Sequence, residues 1–194
     1  MRANPRQDPL PSMRSYTDEE IRKTFSTSSD FNEIFDAFQF ALSTDLRDVE
    51  PYKLLFYNHS LTPDEVRLFG EKLASHFPDL AYEVYIWLAS VFEVTNASND
   101  NYELALHYYR KAAEARPTAA DPYIDACDCY EPDLNIPPLS TLIEFVKRGI
   151  ATVPNPRELY KSLAHLFELS GDAQQGEYYR RKADESGIDP TPTA

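Results

Sequence analysis

The chain has 194 residues, of which 42% are hydrophobic and 13% aromatic, too apolar for a disordered segment and long enough to bury a substantial core. With 32 acidic against 19 basic residues its formal charge is −13, which repels phosphate at long range and argues against nucleic acid as a partner. No run approaches the ~20 apolar residues that a spanning helix needs, and residues 1–14 carry no apolar stretch of the signal-peptide kind, so the sequence predicts a cytoplasmic protein without membrane insertion.

Residues 1–16, with Pro5, Pro9 and Pro11 among polar and charged neighbours, have no helical period and read as a flexible tail. A repeat domain is expected over 17–188. Its first part, 17–78, contains divergent helices. Thr17-Asp18-Glu19-Glu20 is a capping box opening a short helix to Phe25. Ser29-Asp30 caps a second helix, whose face carries Phe31, Ile34, Phe35, Phe38, Ala41 and Leu42, with Phe40 on the opposite side. A helix through Tyr52, Leu55 and Phe56 follows, and Thr62-Pro63-Asp64-Glu65 opens another.

From 79 onward the pattern repeats. Tyr85, Leu88, Ala89 and Phe92 stand at i, i+3, i+4 and i+7, and the same stripe returns 75 residues later as Tyr160, Leu163, Ala164 and Phe167. A second helix follows each copy: Ala105, Tyr109, Ala112 and then Pro117 in one, Gly176, Tyr179, Ala183 and Pro190 in the other. Leu142, Val146, Gly149 and Pro154 form a third copy, and Val66, Gly70, Leu73 and Pro78 a weaker fourth. The closing prolines are 39, 37 and 36 residues apart. Between the clear copies, the helix with Tyr123, Ala126, Cys127 and Tyr130 is cut off by Pro132, so 131–138 reads as an insertion. Residues 93–99 are a second insertion, extending the preceding helix or looping out. The four-residue step from Tyr179 to Ala183 predicts a last helix that is re-registered or frayed, and 189–194 reads as a C-terminal tail.

These residues resemble the tetratricopeptide repeat (TPR) family, whose unit of about 34 residues is a helix, a turn and a second helix. The stretch Tyr160 to Pro190 is most similar, with its aromatic, Leu-Ala pair, second aromatic, Gly171-Asp172 turn and final proline. The resemblance implies an all-α protein, a right-handed α-solenoid of antiparallel helix pairs with about ten helices. Small Ala and Gly residues let paired helices approach, and aromatics fill the space beside them.

The residues that chemistry would require are not grouped. His59, His76, His107 and His165 fall in separate elements without a paired metal-ligand spacing, no glycine-rich phosphate loop is present, and Cys127 reads as a small residue on a packed face. No catalysis, metal or cofactor is therefore expected. Cys127 and Cys129, two apart on a helix, diverge and suit reduced thiols. The sequons at Asn58 and Asn96 matter only in a secreted chain. Arg180-Arg181-Lys182 and Lys147-Arg148 lie toward ends of second helices, where cations are favoured by the helix dipole and a solvated role is expected.

In proteins of this resemblance the first helix of each pair lines a concave groove for a ligand. With the aromatic stripes packed inward, the groove would be lined by Glu83, Trp87, Ser90 and Glu93, by Asp121, Asp125, Asp128 and Glu131, and by Glu158, Lys161, His165 and Glu168. Such a groove is acidic. The family's carboxylate clamp would fall at Ile86, Ser90, Asp125, Glu158 and Ser162, where two acids would repel a carboxylate, so a chaperone C-terminus is not the expected ligand. The expectation is a non-enzymatic adaptor or scaffold binding a basic or amphipathic peptide or helix of a partner protein, with Trp87 a candidate anchor. The alternatives are a solvated acidic face, a dedicated chaperone for a secreted or aggregation-prone client, and a self-associating structural protein, with a homodimer formed through the aromatic N-terminal helices.

Overall fold

The structure, a computed structural model, describes residues 15–94 and 99–186. The tails expected at 1–16 and 189–194 fall almost wholly outside these, as does the sequon at Asn96. Ten α-helices run in order: α1 Asp18–Thr27, α2 Phe31–Ser43, α3 Glu50–Phe56, α4 Pro63–His76, α5 Ala81–Val94, α6 Asn99–Ala115, α7 Asp121–Asp125, α8 Leu139–Ile150, α9 Arg157–Leu169 and α10 Ala173–Ser186. Among the described residues there is no strand, only an isolated bridge between Glu131 and Ile136. The chain packs as two compact units, one to Phe69 and one from Gly70, with the boundary inside α4.

In the first unit local signals set the ends of each helix. Thr17 caps α1 in a complete capping box with Glu20, and Asp30 caps α2 by accepting from the Asn32 and Glu33 N–H groups. Past α2, Asp45 takes the left-handed conformation at φ 56°, and the Leu46 and Asp45 N–H groups donate to Ala41 and Leu42, a Schellman closure. Thr62 and Glu65 make the reciprocal bonds that open α4. The core of this unit is aromatic: Phe38 lies 4.9 Å from Phe69 and 6.1 Å from Tyr52, and Tyr52 is 5.9 Å from Phe25. Tyr16 is buried against Phe40 at 5.6 Å, and Phe40 itself is half-buried. The expected α2 face is corrected at one position. Phe35 is 37% exposed, stacked at the rim on Phe31, while Ala37 is buried instead, because α2 is covered on both sides and its buried arc is rotated.

Asn58 ties this unit together. Its side chain is 8% exposed and donates to the carbonyls of Phe25 and Ser28, both at 2.9 Å, holding the end of α1 against the end of α3. The amide of the Asn58 sequon is thus committed to two backbone acceptors.

In the second unit α5 and α6 form one antiparallel hairpin and α9 and α10 another, with α7 and α8 between them. Leu88, Ala89, Phe92, Leu163 and Ala164 are buried at the expected stripe positions. The aromatics at the two ends of each stripe clasp a tyrosine from the second helix. Tyr108 stacks between Tyr85 (6.1 Å, 26°) and Phe92 (5.6 Å, 11°), and Tyr179 between Tyr160 (6.2 Å, 25°) and Phe167 (5.5 Å, 4°).

This geometry corrects the sequence register. Tyr108, not Tyr109, is the counterpart of Tyr179. Ala105-Tyr108-Ala112 and Gly176-Tyr179-Ala183 then have identical spacings, and the step of four before Ala183 is the normal one for this chain. Accordingly α10 is continuous through Tyr179, neither shifted nor frayed. Gly171, at φ 82°, closes α9 in a Schellman motif completed by the Asp172 N–H on the Phe167 carbonyl, and Asp172 then caps α10 through Gln175. At Gly149 a Cβ would stand 2.6 Å from Leu159 and 2.7 Å from the root of the Tyr123 ring, so α8 meets both neighbours too closely for any side chain. As expected, Pro132 follows an abbreviated first helix: α7 tightens into a 3-10 turn over Ala126–Cys129 and ends.

Candidate functional site

The twelve residues expected to line a groove lie on α5, on α7 with its 3-10 extension and adjoining turn, and on α9. The faces of α5 and α7 meet at Tyr82, whose hydroxyl donates to Asp121 at 3.3 Å; α7 also packs on α9. All twelve are at least partly exposed. Glu83, Trp87, Ser90, Glu93, Asp125 and Glu131 are half-buried, and Asp121, Asp128, Glu158, Lys161, His165 and Glu168 are exposed.

The structure sorts these acids by whether a cation answers them. Glu83 pairs with Arg116 at 2.8 Å, and the Arg116 guanidinium also sits 3.7 Å from the centre of the Tyr82 ring. Glu158 pairs with Lys161 at 2.8 Å, one turn along α9, and Glu168 pairs with Arg180 of α10. Glu131 is turned to local work, accepting the Asp133 N–H while its backbone bridges Ile136. The remaining four, Glu93, Asp121, Asp125 and Asp128, lie within ion-pair distance of no Lys or Arg among the described residues.

Those four carboxylates lie near enough that the charges of Asp121, Asp128 and Glu93 are all felt at Asp125. Asp121, Asp125 and Asp128 are spaced i, i+4, i+7 along the short helix, and Glu93 approaches from the end of α5. Burial, followed by the charges of Asp121, Asp128 and Glu93, pushes the Asp125 carboxyl up to about 6. Glu93 is fixed by the Tyr109 hydroxyl, which donates to it at 2.9 Å and is itself held protonated by burial and that bond. Tyr109, expected in the packing stripe, is buried as that requires, and its hydroxyl also anchors an acid. The i, i+4, i+7 run of aspartates was visible in the sequence; the Tyr109–Glu93 bond, between two different helices, had no local signal.

The two thiols are near these acids, Cys127 half-buried and Cys129 buried. Cys127 donates to the Tyr123 carbonyl at 3.4 Å, and burial pushes it up to about 12; Cys129 is raised as well, again chiefly by burial. Nucleophiles need the opposite shift. Both cysteines are free. Among the described residues no three His, Cys, Asp or Glu side chains are arranged to hold a metal ion, and no helix is long and apolar enough to cross a membrane.

No family model matches the sequence, and no curated protein matches it. Solved structures do. One crystal structure of MamA superposes with a TM-score of 0.51 at 18% identity, over 90% of this chain and 100% of its own; a second gives 0.50 at 21%, over 89% and 96%. The fold is that of a TPR-like helical repeat protein. The thermophilic TPR protein TTC0263 of Thermus thermophilus is more distant, with a TM-score of 0.49 at 17% identity over 80% of this chain and 82% of that one. In this repeat protein the two aromatic clasps around Tyr108 and Tyr179 are the internal signature of the repeat.

Proposed function

We propose that this protein is a non-enzymatic interaction module that holds a basic or amphipathic segment of a partner protein against the acidic face of α5, α7 and α9. The observation that carries the reading is the grouping of Glu93, Asp121 and Asp128 about Asp125 without a cationic partner, while Glu83, Glu158 and Glu168 on the same helices are each neutralised. An unanswered cluster with a half-buried member held partly protonated is a local cost to the fold, and a lysine or arginine placed among these acids relieves it. Half-buried Trp87, on α5 between the paired Glu83 and the unpaired Glu93, offers an apolar surface for the non-polar side of such a segment. Free cysteines fit a reducing compartment, and we take the site of action to be the cytoplasm.

The test is capture of partners from a native extract at low and at moderate salt, with Asp121→Asn, Asp125→Asn, Asp128→Asn protein as the control. A basic partner held at low salt, weakened by salt and lost in the variant supports the reading. A partner retained equally by both proteins places binding elsewhere and sinks it.

A further inference from the structure

A second concavity, of about 230 Å³, opens between α6 and α8, lined by Arg110, Ala113, Glu114, Tyr123, Phe145 and Arg148. Its floor is apolar: Ala113, Tyr123 and Phe145 are buried, and the Tyr123 and Phe145 rings lie 4.7 Å apart. Arg110 and Arg148 flank it from opposite helices. Arg110 rests 6.0 Å from the centre of the Phe145 ring, and neither guanidinium has an ion pair or hydrogen bond among the described residues. Arg22, Arg47, Arg67, Arg116 and Arg180 have carboxylate partners; of the four described arginines without one, Arg110, Arg148, Arg157 and Arg181, the first two line this one pocket. Arg110 even has Glu114 one turn away on α6 without pairing to it.

We infer that this pocket binds an acidic peptide segment of a partner protein, seating one apolar side chain on Tyr123 and Phe145 and a flanking carboxylate between Arg110 and Arg148. Arginine suits this role because its planar fork bonds a carboxylate through two parallel N–H groups while its face remains stacked on an aromatic ring. The volume lies below the ~300 Å³ at which small-molecule sites begin, so the pocket takes one side chain rather than a cofactor. Two cations and Glu114 leave a net charge of about +1 at the rim, which matches a single carboxylate better than a doubly charged phosphate.

This site is distinct from the acidic one. On α7, Tyr123 is two residues from both Asp121 and Asp125, which places it on the opposite side of the helix. The protein then offers two faces of opposite charge preference, one from its first helices and one from its second, and the two can be occupied together.

The experiment uses a fluorescein-labelled peptide with Leu and Phe flanked by Glu, the same peptide with Gln for every Glu, and one with phosphoserine for Glu, each titrated onto the full chain by anisotropy. Binding of the Glu peptide that falls at least tenfold in Arg110→Gln and in Arg148→Gln, and tightens in Glu114→Gln, is expected, since each arginine supplies a charge-assisted bond to the carboxylate. Thermal melts of the same variants, little changed because none of the three side chains has an ion pair and Arg110 loses only its contact with the Phe145 ring, show that only the pocket was altered. The inference is overturned if the Gln peptide binds as well as the Glu peptide, if the phosphoserine peptide binds more tightly, if no peptide binds, or if the arginine variants bind like the parent. Loss of binding in an Asp125→Asn, Asp128→Asn protein instead would place the peptide on the acidic face and equally overturn it.

Discussion

Tyr108 and Tyr179 occupy the same place in two hairpins, each clasped between the two aromatic rings of its partner helix, although the sequence distance back to the first clasping ring is four residues longer for Tyr108. Tyr108 is fully buried, whereas Tyr179 lies half-exposed on α10. Tyr108→Ala is therefore expected to cost about 3–5 kcal/mol and Tyr179→Ala about 1–2 kcal/mol, because cavity cost follows burial. Denaturant unfolding with unchanged slope checks both; equal costs would show that the clasps are not graded by burial.

Gly149 sets the spacing of α8 against its neighbours. Gly149→Ala gains helix propensity of about 1 kcal/mol but drives a methyl into Leu159 and the fixed root of the Tyr123 ring. A net loss of about 1–3 kcal/mol is expected. A variant as stable as the parent would mean that Tyr123 yields at no cost.

Asn58 joins α1 and α3 through two hydrogen bonds to main-chain carbonyls. Asn58→Ala leaves the Phe25 and Ser28 acceptors without their side-chain donor, and about 2 kcal/mol of stability should be lost. Amide exchange at the end of α1 should accelerate more than in α10; uniform acceleration would contradict a local tie.

The stripes at Tyr85 and Tyr160 were legible because i, i+3, i+4, i+7 spacing survives in any helix that buries one face, and capping residues such as Thr17, Asp30 and Thr62 act within four residues of themselves. Tyr108 and Tyr109 were not separable in this way. They are adjacent, both have an apolar body and both are buried against α5; that Tyr108 enters the aromatic clasp while Tyr109 reaches Glu93 depends on contacts between two helices, without local sequence signal. The acidic face was legible only as a set of exposed acids. Which of them stay unanswered depends on Arg116 reaching Glu83 across 33 residues and Arg180 reaching Glu168 across 12, contacts without local sequence signal. The arginine pocket was missed for the same reason, since Arg110 and Phe145 meet only in the folded chain.

Asp125 makes stability depend on pH in a stated direction. Its carboxyl, raised from 3.8 to about 6, keeps a proton in the folded state that the unfolded chain has already released, so stability falls as pH rises from about 4 to about 6 and stays lowered above that. Asp125→Asn removes this dependence. With the group half-exposed and screened, the variant should be more stable at pH 7 by on the order of 1 kcal/mol and nearly unchanged at pH 4. Parallel urea titrations at the two pH values decide it; a variant equally affected at both would show that the proton is not the cause.

Glu93, Asp121, Asp125 and Asp128 are proposed above as a receptor for positive charge. The most direct measurement is the affinity of a labelled, lysine-rich amphipathic peptide for the parent protein and for the Asp121→Asn, Asp125→Asn, Asp128→Asn variant, followed from low to moderate salt. Binding by the parent should weaken steadily with salt, and binding by the variant should be at least tenfold weaker at low salt and nearly salt-independent. Equal affinity and equal salt dependence for both proteins would contradict the proposal.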